Sequence, residues 1–129
     1  MSNAGIAYQL ATTNHAIERT IGETPHWMRP PYGEYDARVV EASKQRGMAI
    51  AMWDDDTLDW KHRNPEETCR RAIDQAHPGS IILMHDIHAP TVDAVPCVID
   101  GLCAKGLRSV SLDKMIPDAD PGRVYAQRP

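Results

Sequence analysis

Met48-Ala49-Ile50-Ala51-Met52-Trp53 is an unbroken apolar run, followed by Asp54-Asp55-Asp56-Thr57-Leu58-Asp59-Trp60 and then by Asn64-Pro65-Glu66-Glu67. A run that is apolar at every position suits a strand covered on both faces, as in a parallel sheet. The Asn-Pro-Glu-Glu sequence is a helix start: a capping Asn, Pro at the first helical position, and a Glu placed to close a capping box. A doubly buried strand that passes through a polar loop into a capped helix is the first half of a βαβ unit.

The same punctuation repeats on both sides. Upstream, Ile6, Leu10, Ile17 and Ile21 share a helix face that Gly22 ends, and His26 to Met28 read as a short strand. A second helix is expected over Asp36 to Arg46, with Val39, Val40 and Ser43 inward. Downstream, Cys69, Ala72, Ile73 and Ala76 form the apolar stripe of the capped helix, and His77-Pro78-Gly79 stops it. Ser80 to Met84 read as a third strand. Val92, Val95, Ile99, Leu102 and Cys103 recur at helical spacing, with Pro96 tolerable only near a first turn. Leu107 to Ser111 read as a fourth strand, and the polar tail after Pro117 as loose.

The alternation predicts an α/β fold of parallel βα units with about four strands. A complete (β/α) barrel needs at least ~200 residues. With 129 residues the chain is expected to be a partial (β/α) barrel or a small open α/β domain.

Composition excludes several classes. The net charge of -4 leaves no basic footprint, so nucleic acid is not an expected partner. No apolar run approaches the ~18 residues of a membrane helix, so no membrane partner is expected. No apolar segment follows a basic start, so no signal peptide is read, and the compartment stays open. The three cysteines, Cys69, Cys97 and Cys103, are odd in number and contain no CxxC pair. They read as buried thiols on helix faces rather than a disulfide framework.

Parallel α/β folds gather functional groups at the C-terminal ends of their strands. Three polar clusters fall there: Arg29-Pro30-Pro31-Tyr32-Gly33, Asp54 to Trp60, and His85-Asp86-Ile87-His88. All three are expected on one rim. Each has a plainer reading too. Arg29 can anchor a turn, Trp60 can be a core or rim residue, and Leu83 can be core. His85, Asp86 and His88 also contain the ligand types of a small zinc site, though at an unspecific spacing. His26, His62 and His77 are expected to be exposed, with nothing gathered around them.

Arg-Pro-Pro-Tyr-Gly at 29–33, Asp-x-x-Asp-Trp at 56–60 and Leu-x-His at 83–85 together resemble, in order and spacing, the third to fifth motifs of the NodB-homology polysaccharide deacetylases, carbohydrate esterase family 4. The resemblance covers residues 13–116, read as the C-terminal part of such a domain. Residues 1–12 then form an extension or the start of the first helix, and 117–129 a polar tail. It implies a metal-dependent deacetylase acting on N- or O-acetylated carbohydrate. By this resemblance His85 is the general acid and Asp59 the carboxylate that orients it. Arg29 orients the catalytic base, and the Tyr32 backbone N–H is an oxyanion donor. Trp60 and Leu83 wall the acetyl pocket. A carboxylate beside an imidazole favours its charged form, which an acid needs.

The family's first two motifs, a Thr-Phe-Asp-Asp type and a His-x-x-x-His, supply base and metal ligands. Neither occurs here: the chain has no Phe, and no two of its histidines are four apart. No metal residues are therefore assigned. The divalent metal, commonly zinc, is expected in the complete family domain rather than on this chain alone. An acetylated carbohydrate is the expected substrate, and a second copy of the chain or a missing N-terminal half the expected partner. The alternative is a truncated, non-catalytic module that binds glycan or only self-associates.

Overall fold

The computed structural model describes residues 1–129 and consists of two compact units. The first comprises Met1–Met52 with Ile116–Tyr125. Its leading helix α1, Asn3–Ile21, starts under a Ser2 hydroxyl that accepts from the Gly5 N–H and ends at Gly22 in the left-handed region (φ 75). Gly meets no steric penalty there. Strand β1, Trp27–Met28, follows. Helix α2, Ala37–Lys44, is capped by Asp36, whose carboxylate accepts from the Arg38 and Val39 N–H groups. Ala42 and Ser43 are its buried residues, so the inward face is offset from the expected Val39, Val40 and Ser43.

Strand β2, Ala49–Ala51, is buried at every position, as its apolar run requires. It pairs in parallel with β1 on one side and with β5, Val124–Tyr125, on the other. The fifth strand thus lies in the stretch that composition marks as a loose tail. Its Tyr125 is buried, stacks edge-on against Trp27 and lies under the Arg123 guanidinium. Those contacts supply the apolar cover that the surrounding polar residues lack.

The second unit comprises Trp53–Met115 with Ala126–Pro129. Its strands β3, Asp55–Asp56, and β4, Ile82–Leu83, pair in parallel. Between them run the short helix α3, Asp59–His62, and helix α4, Pro65–Gln75. The Asn64 side chain accepts from the Glu66 and Glu67 N–H groups, the cap expected at that sequence. Helix α5, Ala89–Ala104, packs on α4 around Cys69, Ala72, Ala76, Val98 and Leu102. Helix α6, Leu112–Met115, is one turn. All strand pairs of both sheets are parallel, so the α/β class of parallel βα units holds.

Four expectations are corrected in this unit. Leu107–Ser111 forms no strand; the chain there leads into α6. On α5 the buried residues are Thr91, Ala94, Val98 and Leu102, whereas Val92, Val95 and Ile99 are exposed. The close approach of α4 sets this face: a Cβ on Gly101 would clash with the Ile73 side chain. Pro96 lies well inside α5 rather than in its first turn. It is exposed, as is Val92, whose carbonyl loses its helical donor and can turn to water. Finally, the cysteines are not three buried thiols. Cys69 and Cys97 form a disulfide joining α4 to α5, and Cys103 is exposed. Spacing in sequence does not report this pair, because its members lie on different helices. No helix is long and apolar enough to cross a membrane.

Candidate functional site

The second unit assembles a buried carboxylate and a histidine at the ends of β3 and β4. Asp59 is fully buried. Its Oδ1 accepts from His85 Nδ1 at 2.8 Å and from the Trp60 N–H at 2.9 Å. Its Oδ2 accepts from the His85 N–H at 2.6 Å and from the Thr91 hydroxyl at 2.8 Å. Four donors thus surround one carboxylate. Burial by itself pushes the Asp59 carboxyl up, but the bonds from the His85 ring, the Thr91 hydroxyl and the His85 N–H together outweigh it. They hold the group below its ordinary value and keep it ionised. Since the carboxylate only accepts, His85 carries a proton on Nδ1 and leaves Nε2 as its proton-exchanging nitrogen. The His85 side chain is about one-third exposed (37%).

A set of local bonds explains why this loop presents Asp59. The Asp56 carboxylate accepts from the Leu58 N–H, which turns the chain just past β3. The Thr57 hydroxyl is buried and donates to the Leu83 carbonyl, linking the loop to β4. His62 Nδ1 accepts from the Asn64 N–H, so its Nε2 donates to the Thr57 carbonyl at 2.8 Å. His62 is therefore a structural clasp and not the isolated surface residue its sequence setting suggests. His77 is likewise partnered, through Nε2 to Asp54 Oδ2 at 2.7 Å. Leu58 (φ 53) and Arg63 (φ 48) flank α3 in the left-handed region. Non-Gly residues there cost about 1–2 kcal/mol each. Such strain concentrates where a loop must hold a side chain in one place.

Trp60 is half exposed, on the rim rather than in the core, and Leu83 is buried in β4. Of the residues expected to act together, the second unit brings Asp59, Trp60, Leu83 and His85 to one pair of strand ends. Arg29 and Tyr32 belong to the first unit. There the Arg29 guanidinium donates to the carbonyls of Ala51 and Met52 at the end of β2. Tyr32 sits at φ 60 in a tight turn closed by the N–H groups of Gly33 and Glu34, its ring almost fully exposed. Its left-handed backbone is the third non-Gly instance in the chain; Tyr32 and Leu58 lie within the motifs, and Arg63 follows α3.

His85 and His88 stand edge to face with ring centroids 6.2 Å apart. No group of three or more His, Cys, Asp or Glu is placed to hold a metal ion. The residues present therefore do not fit a resident metal, and the small site with His85, Asp86 and His88 is not formed. Two residues of the carboxylate's shell escape sequence reasoning: Thr91 and the N–H of Trp60. A Thr in the first turn of a helix carries no signal of a partner 32 positions away.

The family profile described as Polysaccharide deacetylase matches residues 1–51. The chain is 35% identical over 107 residues to the peptidoglycan-N-acetylglucosamine deacetylase PgdA of Listeria monocytogenes, covering 83% of this chain and 22% of that protein. It superposes with a TM-score of 0.90 on a deacetylase determined with substrate, at 39% identity, over 97% of this chain and 62% of the other. A family 4 acetyl xylan esterase from Clostridium thermocellum in complex with a cobalt ion gives a TM-score of 0.91 at 27% identity, over 100% of this chain and 66% of that one. The chain spans less than half the length of the curated relatives it matches.

Proposed function

The chain belongs to the polysaccharide deacetylase family, and from that premise we propose that it carries the general-acid side of a site removing acetyl from an N- or O-acetylated carbohydrate. The observation that carries this reading is His85 Nδ1 held at 2.8 Å by the buried, ionised Asp59. Once water has added to the acetyl carbonyl carbon, the bond from that carbon to the sugar's nitrogen or oxygen breaks, and its electron pair goes to the nitrogen or oxygen, which stays on the sugar. That atom takes the proton from His85 Nε2. Asp59 offsets the positive charge of the imidazolium beforehand and keeps the ring turned outward.

Arg29 and the Tyr32 N–H serve, in the same reading, as base-orienting group and oxyanion donor, and Trp60 with Leu83 as acetyl-pocket walls. A divalent metal, commonly zinc, supplies water activation in the complete domain. This chain's own residues do not hold it.

The test supplies the chain with a segment bearing the family's Asp-Asp and His-x-x-x-His motifs and measures acetate release from chitooligosaccharides. Release is expected, and His85→Ala should lower kcat by about 10²–10⁴-fold. Undiminished release by that variant overturns the acid assignment. The lack of a metal-ligand cluster favours a second reading, a non-catalytic glycan-binding module. Calorimetric binding of chitooligosaccharide by the chain, with no acetate release in the supplemented mixture, supports that one instead.

A further inference from the structure

The Thr91 hydroxyl is spent in an unusual way. Thr91 is the third residue of α5, where a hydroxyl ordinarily bonds the nearby helix backbone. The α5 N-terminus has no side-chain cap: His88 occupies the capping position and provides none. Yet the Thr91 hydroxyl turns away from the helix and donates to Asp59 Oδ2 at 2.8 Å, with both residues buried. Of the four donors on Asp59, three come from its own loop or from His85, and only Thr91 comes from α5.

That asymmetry matters geometrically. The Trp60 N–H and the His85 ring pull on Oδ1. Oδ2 is held by the His85 N–H and by Thr91. Without the hydroxyl, a single main-chain bond remains on Oδ2, and the carboxylate is held less firmly against rotation. Rotation moves Oδ1 out of line with Nδ1 and releases the His85 ring. Helix α5 is in turn fastened to α4 by the Cys69–Cys97 disulfide, so Thr91 stands on a braced element.

We infer that Thr91 is a positioning residue: through Asp59 it holds the His85 ring with its proton on Nδ1 and its Nε2 presented outward. This rests on the reading of His85 as the acid, but the ring geometry can be tested apart from catalysis. Thr91→Val keeps the side-chain shape and loses the hydroxyl. Thr91→Ser keeps the hydroxyl and loses the methyl. A residue that mattered only for packing α5 would tolerate Val better than Ser; a positioning residue shows the opposite order.

The experiment records the ¹⁵N shifts of the His85 ring in the chain and both variants, with the amide spectrum as the check on folding. The expected result is an Nδ1–H ring in the unmodified chain, a mixture of Nδ1–H and Nε2–H rings in Thr91→Val, and return to Nδ1–H in Thr91→Ser. In the supplemented deacetylase assay Thr91→Val should lower kcat about tenfold with KM unchanged, and Thr91→Ser should stay within about twofold of the parent. A Thr91→Val chain that keeps a fully Nδ1–H ring overturns the inference, even if acetate is released. If no acetate is released by any form, the functional reading fails, while the ring tautomers still decide the role of Thr91. Should Thr91→Val not fold, a mixed tautomer in a folded Thr91→Ser chain overturns the inference, since the hydroxyl is retained there.

Discussion

Asp55 and Asp59 lie four positions apart and are both fully buried, yet they are driven in opposite directions. Neither oxygen of Asp55 has a hydrogen-bond partner. Burial, followed by repulsion from Asp54 and Asp56, pushes its carboxyl up to about 7, against weaker attraction from Lys105 and Arg71. The folded chain therefore binds a proton at Asp55 that the unfolded chain has already released above about pH 4. Stability then falls as pH rises between about 4 and 7, by as much as about 4 kcal/mol once both states are ionised. Asp59 has the reverse sign: its carboxyl is held low, so its contribution is present above the ordinary carboxylate range and lost as pH falls through its folded value. Asp55→Asn should flatten the alkaline side of the stability profile and raise the denaturation midpoint at pH 8. Urea titrations across pH 4–8 measure this, and an unchanged slope would count against a protonated Asp55. Nothing in the residue type announces the difference between these two acids. It arises from four donors on one and none on the other.

Helices α4 and α5 carry the core of the second unit, and their contact depends on small residues and a covalent link. Lys105 closes the end of α4 by donating to the carbonyls of Ile73 and Ala76, which that helix cannot satisfy itself. The Cys69–Cys97 bridge closes a loop with a separation of 28 residues. By loop-closure entropy it contributes about 3–4 kcal/mol. Replacing both cysteines with Ala should lower the unfolding free energy by about that amount, as read by chemical denaturation of bridged and bridgeless chains. Gly101→Ala drives a methyl into Ile73 and should destabilise by about 1–3 kcal/mol, unless the helices separate without loss. The Asn64 cap was legible locally, because its side chain acts within three residues of itself. The buried face of α5 was not. Val92, Val95 and Ile99 satisfy helical periodicity as well as Ala94, Val98 and Leu102 do, and only the close approach of α4 decides between them.

At the scale of the whole chain, Ile87, Val92, Val95 and Ile99 leave apolar surface along and before α5. The chain also spans only part of the length of its relatives. In isolation it is expected to self-associate or to bind a partner segment. Sedimentation velocity over a concentration series checks this, and a monomer at every concentration would count against it. The motif residues divide between the units, with Arg29 and Tyr32 in one and Asp59, Trp60, Leu83 and His85 in the other. Legible in the sequence were the α/β class, the helix capped by Asn64, the strand within Met48–Trp53 and the grouping of His85 with Asp59. These follow from short-range periodicity, local capping and three ordered motifs. The fifth strand at Val124–Tyr125, the Cys69–Cys97 bridge, the unpartnered Asp55 carboxyl and the Thr91 bond to Asp59 emerge only in the folded chain. Each of these depends on groups from separate segments meeting in space, and no pattern within one segment encodes which groups will meet.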